Sequence, residues 1–131
     1  MKVSSLVCCS DIRNDSQGQD VLSNPLQMFN LVNIPSTFSF SLSVGLVDVL
    51  ENDVVRICIK NEQGEQINEI GPINIPPFPS TVNKEMPVGM QLNLNVQNMI
   101  FNSEGLHTVE VIYHDECLLK TYIRVQRVSQ I

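Results

Sequence analysis

Tryptophan is absent from this 131-residue chain, and charged residues make up only 17 % of it, against about 25 % in an average domain. Neutral Asn, Gln, Ser and Thr must therefore cover much of the surface. No apolar run approaches the roughly 18 residues of a membrane-crossing helix. The eight cations, Lys2, Arg13, Arg56, Lys60, Lys84, Lys120, Arg124 and Arg127, never form a run, and the net charge is −6. That distribution argues against nucleic acid, whose phosphates require several cations focused on one face. Also missing are a phosphate-cradling glycine loop, a dinucleotide fingerprint and a glycine elbow before a nucleophile. No internal repeat, low-complexity block or linker divides the chain, so residues 1–131 are expected to form one domain.

An export signal is not evident either. The N-terminus has one cation and a short apolar stretch, interrupted by Ser4 and Ser5 and running into Asp11 and Arg13. A signal needs an apolar region of about 7–15 residues, so residues 2–10 read as a strand retained in the protein. The expectation is a cytoplasmic protein whose four cysteines, Cys8, Cys9, Cys58 and Cys117, stay reduced. Adjacent Cys8 and Cys9 point to opposite faces of a strand, so at most one should join the core. Cys58 reads as a small buried hydrophobe.

What is present is alternation. In 37–48, Phe38, Phe40, Leu42, Val44 and Leu46 alternate with Thr37, Ser39, Ser41, Ser43 and Gly45, the period of a half-buried antiparallel strand. Val55, Ile57 and Ile59 repeat the pattern against Arg56, Cys58 and Lys60. So do Met90, Leu92, Leu94 and Val96 against Gln91, Asn93 and Asn95, and Leu119 to Val125 against Lys120, Tyr122 and Arg124. Turns are expected at 11–19, at Asn24-Pro25, around Asn61-Glu62-Gln63-Gly64, at 98–105 and at Asp115-Glu116. Proline density in 71–82 predicts an extended crossover, since Pro cannot pair centrally in a sheet. Pro76-Pro77-Phe78-Pro79 lacks the flanking cations of a polyproline ligand and reads as a rigid connector. The sum is all-β: an antiparallel two-sheet β-sandwich, immunoglobulin/fibronectin-like or C2-like, of about seven or eight strands.

Four features occur in a set order: the start Met1-Lys2-Val3 with Cys8-Cys9-Ser10-Asp11-Ile12-Arg13, the segment Ile34-Pro35-Ser36-Thr37-Phe38-Ser39-Phe40, the turn around Asn61-Gly64, and the closing hairpin from Gly105-Leu106-His107. In this order the chain resembles a family of bacterial and phage proteins with an immunoglobulin-like or C2-like sandwich fold. The resemblance covers most of the chain and is carried by turn and core residues. It implies the fold and a bacterial or phage origin, and nothing catalytic.

The densest polar cluster is His107, His114, Asp115, Glu116 and Cys117. Seven residues along one strand set the two histidines on opposite faces, and Asp115 and Glu116 suit a turn. Two or three ligands fall short of the four of a structural zinc site. No helix start is available to lower a thiol pKa. Metal, cofactor and enzyme are accordingly not expected. The leading expectation is a non-catalytic module that binds a protein, or a second copy of itself, through the hydroxyl- and amide-rich faces of 37–48 and 88–96. One alternative is a small-ligand or nucleotide-sequestering protein, which needs convergent cations. Arg13, Arg56 and Lys60 are the candidate ligand or partner contacts. Another is a structural or decoration component of a phage particle.

Overall fold

In the computed structural model, which describes residues 1–79 and 86–129, the period-two segments become strands. Among the described residues these are β1 (Lys2–Asn14), β2 (Asp20–Pro25), β3 (Met28–Leu31), β4 (Ser36–Val49), β5 (Val54–Lys60), β6 (Gln66–Asn74), β7 (Val88–Phe101), β8 (Gly105–Tyr113) and β9 (Glu116–Arg127), with no helix. The chain is all-β, and its strands form two sheets, ordered β2-β1-β4-β7 and β3-β9-β8-β5-β6.

One core joins the sheets. Phe40, Leu42, Val44 and Leu46 of β4 share a cluster with Ile57 and Ile59 of β5, Val109 and Val111 of β8, and Ile123 and Val125 of β9. Each such side chain, removed from water, contributes about 1.5–3 kcal/mol. Phe29 is the aromatic hub. Its ring stacks on Phe38 at 4.3 Å, tilts against Phe40 at 4.8 Å and meets Phe101 edge-on at 5.6 Å. His107 lies in the same interior, with Nδ1 3.0 Å from the Gly105 carbonyl and Nε2 without a hydrogen-bond partner among the described residues.

Nine strands exceed the number expected because two short edge strands precede Pro35. The expected loop at 11–19 is mostly hairpin. Asp15 holds the turn, its Oδ1 accepting from the amides of Gln17 at 2.8 Å and Gln19 at 2.9 Å. The chain on either side is thereby drawn into pairing, Asn14 opposite Asp20 and Arg13 opposite Val21. Beyond β2 the chain passes from one sheet to the other. Leu26 N donates to Cys8 O of β1 and Gln27 O accepts from Arg124 N of β9. Because β3 arrives by this crossing, it pairs parallel with β9, an exception to the antiparallel arrangement expected throughout.

Two further boundaries differ. β6 runs through Gly71-Pro72 to Asn74, which an edge strand permits because a proline there need not donate to a neighbour. β7 continues past the expected turn at Asn98 through a register shift, with Asn98 at φ 54° and its amide donating to Ser39 Oγ at 2.9 Å. The last part of the expected crossover, 80–82, lies outside the described residues, as does Lys84.

The outer face of the four-stranded sheet is not the open hydroxyl face that alternation predicts. β1 pairs with β4 only as far as Cys9 opposite Ser41. Its distal half then folds with β2 across that face. Asp11 and Ile12 border a cavity of about 90 Å³ with Ser41, Asn93, Leu94 and Asn95. Ser41 and Ser43 are consequently buried, as is Cys9 beside them. Both Cys8 and Cys9 are interior, one in the shared core and one under the hairpin, where only one was expected. Gly45 belongs to the same packing: a Cβ there would lie 2.5 and 2.6 Å from the Ser4 and Ser5 hydroxyls.

Candidate functional site

The hairpin takes Ser41 and Ser43 out of the four-stranded sheet's outer face and leaves Thr37, Ser39, Gln91, Asn93 and Asn95 exposed there; the outer face of the five-stranded sheet is the one that carries the charged side chains. Its composition follows from alternation. On β5, Ile57 and Ile59 enter the core and turn Arg56, Cys58 and Lys60 outward. Register then sets Glu110 of β8 and Glu69 of β6 on either side of Cys58, and Thr108 opposite Lys60. On β9 the outward residues Lys120 and Tyr122 lie opposite Glu110 and Thr108, while Arg124 faces Leu106 and, on its other side, Met28 of β3.

Ion pairs fix the centre of this surface. Lys60 Nζ lies 2.9 Å from Glu110 Oε2. Arg56 spans two carboxylates, Glu69 Oε1 and Asp115 Oδ1, each at 3.1 Å. Glu110 is 8 % exposed, and the hydrogen bond from Lys60 holds its carboxyl below the usual value despite that burial. The same bond raises the Lys60 ammonium, and the bond to Glu69 raises the Arg56 guanidinium. Toward β9 the surface becomes cationic and aromatic. Lys120 Nζ sits 5.9 Å from the centre of the Tyr122 ring. Tyr122 is 49 % exposed and Met28 39 %.

The sequence-derived contacts therefore divide. Arg56 and Lys60 are neighbours on β5, each already facing carboxylates. Arg13 is exposed on β1 in the other sheet, opposite Val21. The three do not converge. Lys120, Tyr122 and Arg124 enter the site although none of them was among the candidate contacts; their period-two spacing in β9 was the available signal.

Other openings are modest. A groove of about 520 Å³ separates the edges of β6 and β7, and Asn68 Nδ2 donates across it to Ile100 O at 3.1 Å. A depression of about 250 Å³ lies among Asn52, Asp53, Arg56, His114 and Asp115. Nearby, Tyr113 Oη donates to Asp53 Oδ1 at 2.9 Å, which raises the phenol above its ordinary value. His114 and Asp115 take positive φ in the β8–β9 turn. His107 is buried and His114 exposed; the two do not share one strand as expected, because β8 ends at Tyr113 and His114 belongs to the turn.

Thiol chemistry is disfavoured at each cysteine. Burial pushes Cys8 up to about 12 and raises Cys9, Cys58 and Cys117; for Cys117 the Glu110 carboxylate adds to the effect. A raised thiol is protonated at neutral pH and a poor nucleophile. Among the described residues, no three His, Cys, Asp or Glu side chains gather as metal ligands. No helix among them is long and apolar enough to cross a membrane. No protein-family model and no curated protein matches this sequence.

Proposed function

We propose that this chain is a non-catalytic protein-binding domain that receives its partner on the outer face of the five-stranded sheet. One observation carries the reading: the outer face of the five-stranded sheet holds its charged side chains in place beside exposed Tyr122 and Arg124, while the β1–β2 hairpin covers the middle of the other sheet's outer face. The Arg56 pairs with Glu69 and Asp115 are solvent-accessible, and such pairs contribute little to folding, so their arrangement is available for recognition. Tyr122 and Arg124 are of the residue types that dominate binding energy at interfaces.

The sandwich in this reading is of the immunoglobulin/fibronectin type. With β2 and β3 set aside, the first, second and fifth remaining strands make one sheet. The other runs seventh, sixth, third, fourth. That is the A-B-E and G-F-C-C′ pattern of such domains, and β3 pairs beside the last strand as an added edge. Four free thiols fit a cytoplasmic setting, and the bacterial or phage origin implied by the resemblance belongs to the same reading.

The test is affinity capture from an extract of the cells that make the protein. Wild type, Tyr122→Glu/Arg124→Glu and a control, Arg13→Glu on the other sheet, serve as baits. The reading expects one protein partner retained by wild type and control and lost from the double variant. A partner retained equally by all three would overturn it.

A further inference from the structure

The two sheets leave four edge strands, and three carry the features that keep edges from pairing with other chains. β2 has six residues, beginning at Asp20 and ending at Pro25. β3 has four. β6 contains Glu69 and Pro72 and shifts register twice against β5. β7 has none of these. Its 14 residues include no Asp, Glu, Lys, Arg or Pro. Between Met90 and Val96 it pairs residue for residue with β4, without a bulge. Among the described residues, no backbone group outside β4 hydrogen-bonds to this stretch. The far end of the strand is different, since Asn68 already occupies the Ile100 carbonyl.

We propose that β7 is an interface between two copies of this chain, joined edge to edge as antiparallel strands about a two-fold axis at Asn93. The regular stretch 90–96 is centred on that residue, and its polarity is the same read in either direction. Pairing about Asn93 sets Leu94 opposite Leu92 of the second copy, Asn95 opposite Gln91, and Val96 opposite Met90. Each face thus keeps its character across the joint. The half-buried Met90, Leu92 and Leu94, which pack on the core from an open side, extend the apolar layer from one copy into the next. Amides meet amides on the outer face. Charge favours the same choice. Each copy carries −6, so two copies repel over most of their surfaces, and an uncharged strand is where their backbones can approach. Asp20, bonded to the Asn93 amide at 2.8 Å, brings one carboxylate per copy beside the axis, and it is the charge that the joint has to accommodate. This surface is separate from the open face of the five-stranded sheet, and the two readings stand or fall independently.

Native mass spectrometry and sedimentation of the full chain test it, with two charge variants on exposed positions. In Gln91→Lys/Asn95→Lys, the proposed register places Lys opposite Lys twice. In Gln91→Lys/Asn95→Glu, it places Lys opposite Glu twice. Directly opposed like charges destabilise strand pairs. The expected result is a two-copy species for wild type, association weakened about tenfold or more in the Lys/Lys variant, and recovery in the Lys/Glu variant. A monomeric wild type, or a dimer indifferent to the Lys/Lys change, would overturn the proposal. A folded, monomeric Lys/Glu variant would also overturn it, because the register about Asn93 requires the rescue.

Discussion

Asn93 of β7 donates through Nδ2 to the Asp20 carboxylate of β2 at 2.8 Å, across 73 residues of chain. The contact ties the tip region of the β1–β2 hairpin to the opposite edge of its own sheet. It accounts for the burial of Ser41 and Ser43, because the hairpin can cover them only if its far end is held down. Asp20→Ala should therefore loosen the hairpin selectively. Amides of 10–14 and 20–23 should exchange faster with solvent, while those of β8 and β9 keep their protection. The loss of global stability should be about 1 kcal/mol, the scale of one hydrogen bond.

Gly45 should not tolerate a side chain. The Ser4 and Ser5 hydroxyls stand 2.5 and 2.6 Å from where a Cβ would lie, and short serine side chains have little room to retreat. Gly45→Ala is expected to destabilise by about 1–3 kcal/mol in chemical denaturation. Adding Ser4→Ala and Ser5→Ala should recover part of that loss, since both clashing oxygens are then gone.

Phe29 connects the short parallel strand β3 to the four-stranded sheet through Phe38, Phe40 and Phe101. Truncation leaves a void at a point where three rings meet. Phe29→Ala should cost about 3–5 kcal/mol, measured by urea unfolding, and should release β3 from β9 first in hydrogen exchange.

The Lys60–Glu110 pair makes a pH prediction whose sign follows from the carboxyl. Its folded pKa lies below the ordinary 4.5, so the folded state binds that proton less readily than the unfolded chain. The stabilisation is complete above 4.5 and disappears as pH falls through the depressed value. In thermal melts, Glu110→Gln should lie below wild type at about pH 7, and the gap should close as pH falls below the depressed value. A gap that widens on acidification would be the wrong sign.

Much of the fold was legible because β4, β5, β7 and β9 alternate strictly, and alternation reports which face meets the core. It does not report what lies on the other face. Ser41 and Ser43 read as surface hydroxyls, yet they are buried by a hairpin whose turn depends on Asp15 capturing the amides of Gln17 and Gln19. That capture is a local geometry with no period. Cys9 is interior for the same reason. At the site, the local pattern placed Arg56 and Lys60 together on β5, but their carboxylate partners come from β6, β8 and the β8–β9 turn. Pairing across strands depends on register, and register is set by long-range contacts that a single strand's sequence does not carry.

Lysine acylation footprinting tests the central claim most directly, because Lys60 and Lys120 lie on the open face and Lys2 on the opposite sheet. Reactivity is compared between purified protein and protein in an extract of its own cells. The account predicts that Lys60 and Lys120 become protected in the extract while Lys2 reacts unchanged. Protection confined to Lys2, with Lys120 as reactive as in the purified protein, would contradict it.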